Sequence, residues 1–266
     1  MLLVTQEQFE GYLFLDEDGS FYSKYEGYLL QSVFQPIFNV NQQAIGYEAL
    51  LRIYDVNMLS IRPDLFFKDT TKTIEQKLNI ERLSRIIHIR NFALFSQSNS
   101  LLFLNILPES AIHFHADKIP NMNTSLLEYR IKHLGLSPQQ VTLELLEFHY
   151  NDEEKLRSAI ENIKSHGFNV AIDDFGSEAS CEHRVSLLKP SILKIDRTLL
   201  IQYEEGNTLP LLSAIQLAKK ENALIVIEGV ETLAQYTQMK TLNIDYFQGF
   251  HLGKPLPLQQ QTHKAA

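Results

Sequence analysis

Two aspartates stand side by side, Asp173 and Asp174, directly after the apolar run Val170-Ala171-Ile172. Adjacent carboxylates at the end of a buried strand repel each other and lose hydration, so the site must contain something that offsets that cost. They have company. Glu48, Asn105, Glu144, Lys194 with Asp196, Glu228 and Gln248 each stand near the C-terminal end of another short apolar run. Carboxylates with one Asn are hard oxygen ligands, suited to Mg²⁺, Mn²⁺ or Ca²⁺ rather than to zinc. Several acids in one cleft cannot all stay ionised without cations. Asp173 and Asp174 point to opposite faces of an ideal strand, and a turn at Phe175-Gly176 is expected to bring both to the rim. One of them could then bridge two cations while the other holds only the second. Lys194 and Asp196 are two apart and share a face of their strand, an ammonium and a carboxylate suited to orienting a water.

These residues need elements that bring them to one place. From residue 100 onward, short apolar runs alternate with helical stretches: "LLFLNILP", "VTLELLE", "NVAIDDFG", "ILKID", "ALIVIEGV" and "DYFQGFHLG". The segment "DEEKLRSAIENIKSHG" is helical in character, with Asn151-Asp152 as a cap and Gly167 at its end. Continuous apolar strands bracketing amphipathic helices predict βαβ units and a buried parallel sheet. The start differs. "SVFQPIFNV" and "AIGYEALLR" are separated only by Asn41-Gln42-Gln43, too short for a parallel crossover, so that pair is expected to be antiparallel. Eight strands between residues 28 and 258 fit a modified (β/α)8 barrel with one antiparallel strand, close to the usual size of about 250 residues. In a parallel barrel the C-terminal strand ends meet at one face, which is where the acids would converge. Residues 1–27 read as an N-terminal extension, with a hairpin over 12–25 turning at Asp18-Gly19, and 259–266 as a tail.

Composition narrows the partners. The chain has 266 residues, 44% hydrophobic and 21% charged, with a formal net charge of −8. That balance argues against binding a DNA or RNA duplex, which needs a basic footprint. An anionic ligand must be held by local positive charge or by metal. One cysteine, Cys181, excludes an internal disulfide framework and a cysteine zinc site. No run approaches the roughly 20 apolar residues of a membrane span. The opening "MLLVTQEQFEG" lacks the features of a secretory signal, so a cytoplasmic protein away from membranes is expected.

At "YEALLR", residues 47–52, the chain resembles the EAL domain family, bacterial phosphodiesterases of cyclic di-GMP. The likeness recurs in order through "FQPI", "NILP", "LELLE", "DDFG", "LKID", "IEGVE" and "FQGFHLGKPLP". It implies a modified (β/α)8 barrel of the TIM type, a homodimer, and two divalent metal ions, Mg²⁺ or Mn²⁺. By the same resemblance, Glu48, Asn105, Glu144 and Asp173 would hold the first ion, and Asp173, Asp174 and Glu228 the second. Lys194 would help position the attacking hydroxide, with Gln248 supporting the site and Asp196 and Glu231 in its outer shell. Arg52 would take a substrate phosphate, a task its planar fork suits, and Gln35 would contact the nucleotide. The implied reaction is hydrolysis of one phosphodiester of cyclic di-GMP to linear pGpG.

The loop after the aspartates departs from the family. In place of Thr or Ala followed by Gly-Tyr-Ser-Ser-Leu, this chain reads "SEASCEHRVSLL", with Glu178, Ala179, Cys181 and Glu182 at four of the altered positions. Glu147, which the resemblance associates with holding that loop, is retained. Three other readings stay open: a silent EAL domain acting as a cyclic di-GMP receptor or protein-binding adaptor, a different metal-dependent barrel enzyme using Lys194 as a base on a carbon acid, and an interaction protein whose acids are merely solvated. Product analysis, a substrate screen and Mn²⁺ binding separate them. The alternating "HFH" at 113–115 and the lone Cys181 are read as surface or helix residues and an inert thiol.

Overall fold

The computed structural model describes residues 1–95, 99–115, 125–146, 152–177 and 182–258, the side chain of His115 excepted. Glu147, Asn151, Glu178, Ala179, Cys181 and the tail 259–266 lie outside the described residues. The chain opens with α1 (Gln6–Glu10), β1 (Leu13–Leu15), β2 (Phe21–Tyr25), β3 (Tyr28–Asn39), β4 (Ala44–Tyr54) and β5 (Ser60–Ile61). Helices α2 (Pro63–Lys68) and α3 (Ile74–Phe95) lead to β6 (Leu101–Ile106), α4 (Pro108–Ile112), α5 (Leu126–His133) and β7 (Val141–Leu145). Then follow α6 (Glu153–Ser165), β8 (Asn169–Phe175), α7 (Glu182–Leu188), β9 (Ile192–Ile195) and α8 (Arg197–Glu204). The chain continues through α9 (Leu209–Lys220), β10 (Leu224–Ile227), α10 (Leu233–Lys240) and β11 (Tyr246–Phe247).

Eight of these strands close a barrel. Strands β4, β6, β7, β8, β9, β10 and β11 pair parallel in that order, and β3 closes the ring antiparallel to both β11 and β4. The three-residue link at 41–43 thus joins an antiparallel pair, as its length requires. Strands β7 and β9 are buried at every position, as expected of parallel staves covered on both faces. Helix α6 shows how the outer layer docks: Leu156, Ala159, Ile160 and Ile163 form its buried stripe, and Asp152 caps its first turn by accepting from Lys155 N at 3.0 Å.

The barrel interior is layered with a period of two. Ile37, Phe103, Ala171, Ile192 and Val226 make one buried cluster across five staves. Side chains alternate faces along a strand, so the next inward position on each stave lies one layer above this apolar floor. Those positions are Gln35, Asn105, Asp173, Lys194 and Glu228. Gly46, Thr142 and Tyr246 stand two residues before Glu48, Glu144 and Gln248 on the remaining three staves. Each stave therefore contributes one polar residue to the layer above the floor. The hairpin β1–β2 pairs Leu13 with Ser23, turns at Gly19 with φ of 79°, and is welded through β2 to β3.

Candidate active site

Lys194 stands at the centre of that polar layer and is 1% exposed. Its Nζ lies 2.8 Å from Glu144 Oε1, Asp173 Oδ1 and Glu228 Oε1, and 3.3 Å from Glu48 Oε2. Gln248 donates its amide to Glu48 Oε2 at 2.7 Å, and Asn105 Nδ2 reaches Glu48 Oε1 at 3.5 Å. Burial alone would lower the Lys194 ammonium, but Asp173, Glu144, Glu228 and Glu48 outweigh it and hold its pKa well above the ordinary lysine value. Burial pushes Glu144 well above the usual carboxylate range; Lys194 opposes this, and Glu48 and Asp173 add to it. Burial does the same to Glu228 against the pull of Lys194, with Asp173 and Glu48 reinforcing it. One ammonium does not balance five acids.

The expected turn at Phe175-Gly176 is present, with Ser177 N donating to Asp174 O at 3.1 Å across it, and a kink in the strand precedes it. Strand β8 continues through Phe175, and its pairing with β9 slips between Ile172 and Phe175. Within that bulge Asp174 has φ of 51°, in the left-handed region that Asp tolerates better than most residues. Kink and turn together shape the strand end from which both carboxylates reach the site. Asp173, Asp174 and Glu228 each present an oxygen, all within 4.8 Å of one another, and so do Glu48, Glu144 and Asp173. Asp173 belongs to both groups.

The donors fit divalent cations. Glu144 Oε2, Asn105 Oδ1 and Gln248 Oε1 are buried without a hydrogen-bond partner, an arrangement a protein interior rarely keeps. All are hard oxygens, and the two overlapping triads give cations two places to sit.

Two clefts open from this floor. The larger, of about 710 Å³, runs from Leu50, Arg52 and Asp174 back to α2 and α3. Arg52 lines this cleft, and its Nη1 donates to Leu51 O at 3.1 Å. The smaller, of about 320 Å³, is lined by Gln35, Glu48, Glu228 and Gln248 together with Arg197 and Phe250. Gln35 donates to Gly253 O at 3.2 Å. Asp196 lines both clefts while its carboxylate caps α8, accepting from Thr198 N at 2.8 Å. Glu231 sits at the rim, paired with Arg197 at 2.5 Å. Sequence reading missed the wall supplied by α3, where Glu81, Ser84 and His88 line the larger cleft. Polar residues are spread along the whole of that helix, so no pattern singled these three out.

A closed barrel with one polar residue per stave and two overlapping oxygen triads defines an α/β barrel of the TIM type whose polar layer offers hard oxygen ligands. The EAL domain family model matches residues 26–255, and the chain belongs to that family. It is 31% identical over 229 residues to the EAL-domain protein YkuI of Bacillus subtilis, covering 84% of this chain and 54% of that one. It is 28% identical over 226 residues to PdeB of Escherichia coli, a probable cyclic di-GMP phosphodiesterase, covering 84% and 42%. The structure of the PaMucR phosphodiesterase in complex with cyclic di-GMP superposes with a TM-score of 0.72 at 25% identity, covering 87% and 94%. The structure of YkuI, which holds cyclic di-GMP and calcium, gives 0.72 at 24% identity, covering 88% and 60%. The chain thus spans about half the length of these curated relatives. Among the described residues no helix is long and apolar enough to cross a membrane.

Proposed function

We propose that this chain hydrolyses cyclic di-GMP to linear pGpG, using two divalent cations, Mg²⁺ or Mn²⁺. The observation that carries the reading is the sharing of Asp173 between two oxygen triads at the floor of the clefts. Glu48, Asn105, Glu144 and Asp173 would hold one cation, and Asp173, Asp174 and Glu228 the other. Bound there, the pair would supply Lewis acidity toward the phosphate and lower the pKa of water. This chain's residues do the rest. Arg52 offers its fork to a phosphate oxygen, a geometry that matches two acceptors at once. Gln35 and Gln248 border the opposite cleft, where Gln35 meets the nucleotide and Gln248 keeps Glu48 oriented. Lys194, wedged among four acids, is a donor that orients the attacking water. That setting also counts against its use as a base on a carbon acid. Water attacks phosphorus in line, the bond to one 3′-oxygen breaks, and that oxygen leaves as a hydroxyl. Asp196 and Glu231 fix the rim through α8 and Arg197.

The substrate is a bacterial second messenger, which places the work in the cytoplasm; a homodimer is the expected assembly, to be checked by light scattering. The altered sequence at 177–182 favours a second reading, a receptor that binds cyclic di-GMP and does not cleave it. Incubation with cyclic di-GMP and Mg²⁺ or Mn²⁺, followed by chromatography, decides. Appearance of pGpG supports the enzyme; binding without pGpG moves the assignment to the receptor; neither removes both.

A further inference from the structure

The larger cleft has a wall that the cation chemistry leaves unused, and His88 is a buried polar member of it. His88 is 3% exposed and lines the cleft together with Arg52 and Ser84. Ser32 Oγ lies 2.7 Å from its Nδ1, and Phe34 packs edge-on against the ring. Among the described residues no hydrogen bond ends on Nε2. A polar atom on so buried a ring calls for a partner. The pairing of β3 with β4 brings this ring to the level of the Arg52 guanidinium. Ser32 stands opposite Leu51 in that ladder, so the two side chains share the face toward α3. Arg52 alternates to the other face, yet its Nη1 comes back to Leu51 O at 3.1 Å. Burial first, and the Arg52 charge second, lower the His88 pKa to about 3 and keep the ring neutral.

A neutral imidazole carries one N–H, and the nitrogen that holds it decides what His88 can do. A cation in the same cleft favours the tautomer that turns its lone pair toward the charge. Nδ1–H then donates to Ser32 Oγ, and Nε2 is left as an acceptor for a guanidinium N–H. Leu51 O already takes one N–H of the fork. A fork held at one point turns about that point, whereas a second acceptor fixes its plane and leaves the opposite edge for a phosphate. We propose that His88 is a positioning residue for Arg52: Ser32 fixes the ring, and Nε2 accepts from the guanidinium and sets the plane in which the fork meets the phosphate. Setting that plane before the ligand arrives lowers the ordering cost of binding, so the effect falls on affinity. This assignment rests on the cyclic di-GMP reading given above, in which Arg52 takes a phosphate.

The test is a double-mutant cycle between His88 and Arg52, read as the Kd for cyclic di-GMP in Ca²⁺ by isothermal titration calorimetry. His88→Leu should weaken binding about tenfold, the size of one hydrogen bond to a charged group. In an Arg52→Ala background the same substitution should change Kd by less than about twofold. His88→Gln, whose carboxamide oxygen can reach the Nε2 position, should recover most of the loss. Ser32→Ala should weaken binding only while Arg52 is present, and it carries the cycle if His88→Leu does not fold. An unchanged Kd in His88→Leu overturns the positioning role and leaves the cyclic di-GMP reading intact. An equal loss with and without Arg52 also overturns it, since His88 would then meet the ligand itself or serve only the fold. Equal losses in His88→Leu and His88→Gln overturn it as well, because the acceptor would not matter. A wild type that neither binds nor cleaves cyclic di-GMP overturns both this role and that reading.

Discussion

Among single residues, Lys194 and Arg52 divide the work. Lys194 is buried and touches four acids, whereas Arg52 faces the open cleft. Lys194→Ala and Glu48→Ala should each lower kcat about a hundredfold or more, the range for losing a positioned proton-handling or charge-stabilising group. Arg52→Ala should act mainly on KM, raising it about tenfold or more, since a phosphate is held before and during reaction. Steady-state kinetics on the three variants separates these outcomes, and a fall in kcat with KM intact for Arg52→Ala would reverse the division. His88 gives a pH signature outside the acid cluster. It is 3% exposed, shares a 2.7 Å hydrogen bond with Ser32 through Nδ1, and packs edge-on to Phe34. Burial, with Arg52 nearby, lowers its pKa from 6.5 to about 3. The folded state therefore binds fewer protons than the unfolded state between those values. Its contribution is full above pH 6.5 and is lost as pH falls toward 3. From pH 6.5 to 5 the loss is about 2 kcal/mol. Urea unfolding at the two pH values should show it, and His88→Gln should flatten the dependence; an identical slope in the variant would discard His88 as the source.

At the scale of elements, the sharpest device is the bulge in β8. Asp174 at φ of 51° and Gly176 at φ of 103° let a strand end aim two consecutive acids at one site. Leu199 packs against Gly176 so closely that an added Cβ would stand 2.5 Å from its side chain. Asp174→Asn keeps a residue suited to the left-handed region and removes the charge, so stability should change by less than about 0.5 kcal/mol while metal response falls. Asp174→Val forces a β-branched residue into that region and should cost about 1–3 kcal/mol. Urea unfolding of both variants in chelator checks the pair; equal stability would mean the kink is not strained. This bulge was not legible in "NVAIDDFG", because alternation describes regular pairing and a slip leaves no mark in residue type. The staves were legible for the opposite reason: continuous apolar runs ending in a polar residue are what a layered barrel demands of its strands. Short β11, only Tyr246–Phe247, and the hairpin β1–β2 were also readable, from the run 245–253 and the Asp18-Gly19 turn. The α3 wall was not, since Glu81 and His88 look like surface residues until burial shows otherwise. Glu81 accepts from Ser110 Oγ at 2.8 Å and pairs with Arg85 at 3.1 Å, bonds to α4 and within α3 that no local pattern announces.

In the whole molecule two cores are joined through β3 and β4. The main cluster lies between barrel and outer helices, while a second gathers Leu3, Phe9, Tyr25, Leu30, Ile53, Phe66 and Leu83 from the N-terminal segment, the β3–β4 ribbon, α2 and α3. Asn79 ties that segment down, donating to Met1 O at 3.1 Å and Tyr25 Oη at 2.7 Å and accepting from Leu3 N at 2.8 Å. The acids belong to the main barrel and come from β4, β7, β8 and the end of β10, so a cation binding there links strands that are far apart in sequence. Ligands that bind only the folded state raise its stability by mass action, about 2.7 kcal/mol at a hundredfold excess over Kd. Mn²⁺ or Mg²⁺ should therefore raise the melting temperature of the whole barrel in one transition, by several degrees for a domain of this size. Asp173→Asn should abolish most of that rise, because Asp173 serves both triads, whereas Asp174→Asn should abolish only part. Differential scanning calorimetry across a metal titration distinguishes the two. Equal losses in both variants would mean that Asp173 does not bridge, and an unchanged response in Asp173→Asn would remove the two-cation assignment altogether.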